Sequence, residues 1–283
     1  MLSLRRIGKT GLIKNVFYRL GQENKYRLLY LDIMATSNTA EFIREFGKAI
    51  IKDEQKHSSN FLKKLTVFLS GIRAKLVFNE MTGALLRSYV QQYPNIRFIF
   101  SGSNKHLLLS MFSDYGRPFY QSGEIMHLDR LNMDVYADFI VNKFQKNGKN
   151  VERTLVLDIL KEFDVYTFYV QFLFNRLYET RSKNITKELI YEVLENILTE
   201  REYIYYNYRN LLINNQFQLL KAIAKEDGIK QYSSKDFIEK YKLGTSSSVN
   251  RSLNTLLNKE MIYEEMGVYK VYDLFFANWL IKK

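Results

Sequence analysis

Cysteine is absent from the 283 residues, so disulfides and thiolate metal sites are excluded, which fits a reducing, cytoplasmic setting. Proline occurs twice and glycine 13 times, which leaves little material for long structureless loops and points to many helices. The three histidines, His57, His106 and His127, lie far apart and lack the spacing of a metal site. No apolar run approaches the ~18 residues of a membrane span, and Arg5 and Arg6 lead into Gly-Lys-Thr instead of a signal-peptide core. What is abundant is aromatic: 21 Tyr and 20 Phe, largely at helical spacing, which reads as core before it reads as base stacking. A 46% hydrophobic and 25% charged composition is that of a globular chain long enough for two or three domains.

The net charge of +12 is unevenly placed. Residues 1–126 carry 19 basic and 9 acidic groups, residues 127–200 carry 10 and 12, and residues 201–283 carry 13 and 9. The excess sits in the stretch that opens Ser3-Leu-Arg-Arg-Ile-Gly8-Lys9-Thr10-Gly11. Gly-Lys-Thr before an apolar-periodic run is the second half of a phosphate-binding loop, G-x-x-x-x-G-K-[ST]. Such a loop presents backbone N–H groups and a helix N-terminus to phosphate, with Lys9 reaching the outer phosphates and the Thr10 hydroxyl a Mg²⁺ ligand. Arg6, Ile7, Gly8, Lys9, Thr10 and Gly11 are the candidate nucleotide-binding residues. Ser3 stands where the pattern has its first glycine, so the motif is partial.

Downstream, apolar periodicity predicts alternating helices and strands, with strands at Tyr26–Met34, Ala74–Phe78, Ile96–Ser101 and Glu124–Leu128. From about Asn132 only helical periodicity remains, over 134–145, 154–163, 167–179 and 186–198. The aromatic run Tyr203, Tyr205, Tyr206, Tyr208 reads as the passage to a third unit. That unit has helices over Gln216–Lys225, Ser234–Tyr241 and Thr245–Asn258, then a β-wing over Met261–Trp279 turning near Gly267. This is the pattern of a winged helix. The fold class expected is an α/β P-loop core with an incomplete parallel sheet (1–130), an all-α lid (131–212) and a winged-helix domain (213–283). Helix three would present Thr245, Ser246, Ser247, Asn250, Arg251 and Asn254 to DNA or to a protein partner. With Arg251 and Lys259 its only cations, phosphate affinity would be modest.

Several pieces in order, Arg5–Thr10, Tyr30–Ile33, Leu86–Gln91, Phe98–Ser103, Arg117–Tyr120, Tyr169–Gln171 and Val271–Phe276, resemble prokaryotic P-loop ATPases of the AAA/STAND type. The resemblance implies an ATPase core, a helical lid and a C-terminal winged helix, with ATP or ADP and Mg²⁺ as ligands. It implies a sensor at Ser101 or Ser103 and an arginine finger at Arg117, each set against a plain turn serine and a surface arginine. Two departures stand out. The opening strand and first loop glycine are missing, and no strand ends in the Asp-Glu pair that holds Mg²⁺ and polarises water. Read as that strand, Leu76-Val-Phe-Asn79-Glu80 would offer a neutral amide; the preferred reading is that Ala74–Gly83 is a segment the family places earlier and that the block carrying the pair is missing. Asp32 follows an apolar strand but belongs to one that lies away from the loop in this topology. The expectation is a nucleotide-binding protein with weak ligand affinity, impaired hydrolysis and a self-associating core. The alternative is a winged-helix DNA-binding or protein-interaction module on a relic core.

Overall fold

A computed structural model describes residues 1, 5–23, 25–26, 28–30, 32, 45, 87, 91, 97–102 and 105–283. The chain divides into two compact units, Met1–Asp129 and Arg130–Lys283.

In the first unit, α1 (Lys9–Gln22) turns Ile13, Phe17 and Leu20 inward as half-buried residues, and Phe17 meets Tyr30 edge-on with ring centroids 6.4 Å apart. A second helix, α2 (Lys105–Ser113), packs through Phe112. Phe112, Phe100 and Phe119 form a mutual ring cluster with centroids 5.4–5.8 Å apart, and Phe119 is buried. Such contacts add roughly 0.5–1.5 kcal/mol per pair beyond area burial. Glu45, Arg87 and Gln91 are helical, as their periodicity predicts. The expected strands Tyr26–Met34 and Ile96–Ser101 are described only in part, and their described residues lie in no named strand. Ala74–Phe78 lies outside the described residues. In place of a strand at Glu124–Leu128, only His127 is in a β-bridge.

The second unit opens with four helices: α3 (Met133–Gln145), α4 (Arg153–Glu162), α5 (Thr167–Glu179) and α6 (Lys187–Asn210). Two of these starts, those of α3 and α6, are set by short polar side chains that satisfy the first N–H groups. Asn132 Oδ1 accepts from Val135 N at 3.1 Å, and Thr186 Oγ1 from Leu189 N at 3.3 Å. Two short strands, β1 (Asn150–Val151) and β2 (Asn184–Ile185), pair in parallel, Asn150 opposite Asn184 and Val151 opposite Ile185. Lys149 Nζ donates to Ser182 O at 2.9 Å and to Thr180 O, closing the same junction.

The C-terminal part has α7 (Asn214–Lys225), α8 (Lys235–Tyr241) and α9 (Ser246–Asn258). The hairpin of β3 (Ile262–Glu265) and β4 (Val268–Val271) follows, and α10 (Leu274–Lys282) ends the chain. Met266 at φ 52° and Gly267 at φ 77° make the two-residue turn that matches strand twist. Ile229 bridges Tyr269 and extends the small antiparallel sheet.

Two sequence expectations shift. The wing ends at Val271, and Leu274–Lys282 is helix because Asp273 Oδ1 accepts from Phe275 N and Phe276 N at 3.0 and 3.1 Å. Phe275, Phe276, Trp279 and Leu280 then bury one helical face. The tyrosine run is not a linker but the end of α6. Tyr205 alone of the run is buried, stacked on Phe276 at 5.1 Å and packed on Trp279 at 5.7 Å.

Candidate phosphate-binding loop and winged-helix surface

Residues 5–8 curl ahead of α1 in a way ordinary residues resist. Arg6 has φ 66° and Gly8 φ 101°, both left-handed, and buried Ile7 between them anchors the turn. At Gly8 the absence of Cβ makes this conformation cheap; at Arg6 it stores strain. Gly8 is the N-cap, its carbonyl accepts from Leu12 N at 2.9 Å, and no side chain caps the helix. No acid occupies the first turn, so nothing on the helix itself competes for its positive end. Lys9 and Thr10 are the first two helical residues; Lys9 is half-buried, Thr10 and Gly11 are exposed. The structure thus brings Arg6, Ile7, Gly8, Lys9, Thr10 and Gly11 together on one loop-to-helix junction. The Met1 amino group donates to Phe100 O at 2.7 Å, and its pKa is lowered first by burial and then by the charge of Lys9.

Ser101 is exposed, and Ser103, Asn79 and Glu80 lie outside the described residues. Asp32 is exposed. Arg117 N donates to Asp114 O at 3.2 Å and Arg117 O accepts from Tyr120 N at 3.0 Å, while Arg87 donates to Pro118 O. Ring packing of Phe119 on Phe100 therefore places the Arg117 turn and the Ser101 segment against one small core. Among the described residues no three acidic or histidine side chains gather as a metal site. The junction presents an uncapped helix start, with the Lys9 amine and the Thr10 hydroxyl on its first turn.

The exposed side of α9 is polar and carries one cation, Arg251. Thr245 Oγ1 caps α9 from Ser248 N at 3.2 Å, and Val249, Ser252, Leu253 and Leu256 turn inward. Ser246, Ser247, Asn250, Arg251 and Asn254 stay exposed along one side. Arg251 Nη2 donates to Ser247 Oγ at 3.2 Å, so the cation of this face is already engaged locally. On the wing, Glu264 Oε1 accepts from Gly267 N at 2.5 Å, and Glu265 faces Arg130 at 3.5 Å. Met266 at the tip is 92% exposed.

One cluster has no signal in sequence spacing. Arg130 Nη2 lies 2.7 Å from Asp164 Oδ2, Arg130 Nε donates to Asp164 O at 2.8 Å, and its guanidinium sits 5.1 Å from the Tyr166 ring centroid. Lys270 Nζ is 3.7 Å from the same carboxylate. Burial works against the charge on Arg130, but Asp164, Tyr166 and Glu265 outweigh it and raise the pKa. The helical segment and the wing are locked at this corner.

The architecture is that of a helix-rich chain with a small parallel sheet and a C-terminal winged helix. Residues 203–282 match a family described as "Probable winged helix domain". The chain is similar in structure to a Walker-type ATPase of Pyrococcus abyssi, with a TM-score of 0.64, 18% identity, 99% of this chain covered and 89% of that one. Among curated proteins none matches the sequence. The fold is therefore shared with a Walker-type ATPase, and the winged helix begins within α6. Among the described residues no helix is long and apolar enough to cross a membrane.

Proposed function

We propose that the chain is a nucleotide-binding protein of AAA/STAND ancestry, taking ATP or ADP at the Gly8–Gly11 junction, with hydrolysis impaired. The observation that carries this reading is Gly8: a left-handed N-cap without side-chain cover, followed at once by Lys9 and Thr10. That is the arrangement in which backbone N–H groups and a lysine meet phosphate. The fold likeness to a Walker-type ATPase supports it. Arg6 and Lys9 supply the charge, Ile7 holds the turn, and Gly11 lets a ligand approach without a Cβ. When bound, Mg²⁺ would neutralise phosphate charge and take the Thr10 hydroxyl as one ligand. With Ser3 replacing the first glycine, the loop lacks contacts, and affinity no tighter than roughly 100 µM is expected. The absence of cysteine fits a cytoplasmic place.

Calorimetry with ATP and ADP tests this. Binding in the high micromolar range that falls at least tenfold in Lys9→Ala supports the reading; binding unchanged by that substitution, or none at millimolar ligand, overturns it.

The winged helix serves as a docking module in this reading. Thr245, Ser247, Asn250 and Arg251 offer hydrogen bonds, but the one arginine is tied to Ser247 and the wing carries Glu264 and Glu265. Duplex DNA demands several free cations, so a protein partner suits this face better than DNA.

A further inference from the structure

The turn between α4 and α5 is built from residues that resist its backbone. Asp164 has φ 46° and Val165 φ 54°. Among the described residues this is the one place where two consecutive non-glycine residues are left-handed. A β-branched side chain suits that conformation worst, because Cβ crowds the following carbonyl, yet Val165 is held there and buried. The local bonds are those of a tight helix end: Val165 N donates to Leu160 O at 2.8 Å and Tyr166 N to Phe163 O at 2.9 Å. Glycine makes such an end cheap, and none stands here. The corner therefore stores strain and needs its surroundings to hold it.

The holding groups come from two distant parts of the chain. Arg130 Nε donates to the Asp164 carbonyl at 2.8 Å and Nη2 to its carboxylate at 2.7 Å, with the guanidinium on the Tyr166 ring. From the wing, Tyr263 meets the Tyr166 hydroxyl at 2.9 Å, Lys270 Nζ stands 3.7 Å from Asp164 Oδ2, and Glu265 Oε2 is 3.5 Å from Arg130. Arg130 is also the first residue after the unit boundary at Asp129. One side chain thus ties the boundary, the strained corner and the wing.

We propose that Arg130 is the latch of a conformational switch: engaged, it holds the left-handed corner and, through the corner, the wing; withdrawn by a movement of the chain at Asp129, it frees both. With the guanidinium gone, Asp164 and Val165 relax out of the left-handed region, Tyr166 turns off the Tyr263 hydroxyl, and β3–β4 lose their hold. Packed arrangements of this kind change between discrete states, so a small displacement at Arg130 is amplified. The latch does not depend on the nucleotide reading.

Hydrogen exchange on the full chain, followed by mass spectrometry of its peptides, is the test. Arg130→Met should speed exchange about tenfold in residues 160–166 and 262–271 and leave 246–258 unchanged. Arg130→Lys keeps the charge but cannot hold the carboxylate and the carbonyl together, and should fall between the two. Asp164→Gly removes the strain, since glycine adopts this φ freely. The double variant Arg130→Met/Asp164→Gly should therefore regain protection in both segments. Exchange unchanged in Arg130→Met and Arg130→Lys overturns the proposal. So does a rise spread evenly over 246–258, which marks a loss of global stability. A double variant as unprotected as Arg130→Met, or more so, overturns it too, because a plain ion pair gains nothing from relief of the backbone.

Discussion

Tyr166 and Tyr263, 97 residues apart, meet hydroxyl to hydroxyl at 2.9 Å in a buried seam. One comes from the corner between α4 and α5, the other from the first strand of the wing. Each hydroxyl needs the other, because a buried polar group without a partner costs about 1–3 kcal/mol. Either single Phe substitution is therefore expected to destabilise the Arg130–Lys283 unit by about 1–2 kcal/mol. The double Phe variant should cost less than the two singles added together. Denaturant unfolding of the four proteins measures the coupling; additive losses would show that the two hydroxyls act independently.

The same burial governs the response to alkali. Tyr263 and Tyr136 are each pushed up to about 12, first by loss of solvation, and burial raises Tyr166 and Tyr205 as well. A tyrosine ionises near pH 10 when unfolded, so above that pH the unfolded chain holds fewer protons than the folded one. The stabilising contribution is therefore full below about pH 10 and is lost as pH rises toward the folded values. Melting temperature should fall steeply between about pH 10 and 12, and tyrosinate absorbance at about 295 nm should step up with unfolding, not before it. Tyr136→Phe should flatten that fall.

Phe275 is the other tie across the seam. Its ring lies 5.6 Å from Phe163, 5.0 Å from Tyr169 and 5.7 Å from Phe172, and Arg201 stacks 5.4 Å above it. Phe275→Ala should cost about 3–5 kcal/mol. A fragment cut to residues 203–283 strips away Phe163, Tyr166, Tyr169 and Phe172 and should melt well below the fragment 130–283. Equal melting temperatures for the two would mean that the winged helix does not depend on the helices before it.

Much of this was legible locally. Helices α3 to α5 follow the apolar period, and the wing turns at Gly267 as its glycine suggests. What stayed hidden depends on partners distant in sequence. Tyr205 reads like its exposed neighbours until Phe276 and Trp279 are placed against it. The short strands β1 and β2 have no period to read at two residues each. Arg130, Asp164, Glu265 and Lys270 become a cluster only through the fold. At the candidate site, Gly8-Lys9-Thr10 is legible as a motif alone, and Gly8 stands as the left-handed N-cap of α1.

The last expectation concerns catalysis. Hydrolysis of a nucleoside triphosphate needs a metal set against the β and γ phosphates and a carboxylate that orients water. Thr10 offers one metal contact at the head of α1. In the sequence no Asp-Glu pair follows an apolar strand; if Asn79-Glu80 stands in for it, a neutral amide binds Mg²⁺ more weakly than a carboxylate. General-base help contributes typically ~10²–10⁴-fold, and a weakened metal site compounds that loss. Steady-state assays with Mg²⁺ should therefore show no turnover above background in the isolated chain, even at ATP concentrations that saturate binding. Asn79→Asp should move activity upward if this segment is the degenerate metal strand, and leave it at background if the block that carries the pair is missing. Turnover in the unmodified chain that disappears in both Lys9→Ala and Glu80→Gln would instead identify Asn79-Glu80 as a working catalytic pair and end the reading of impaired hydrolysis.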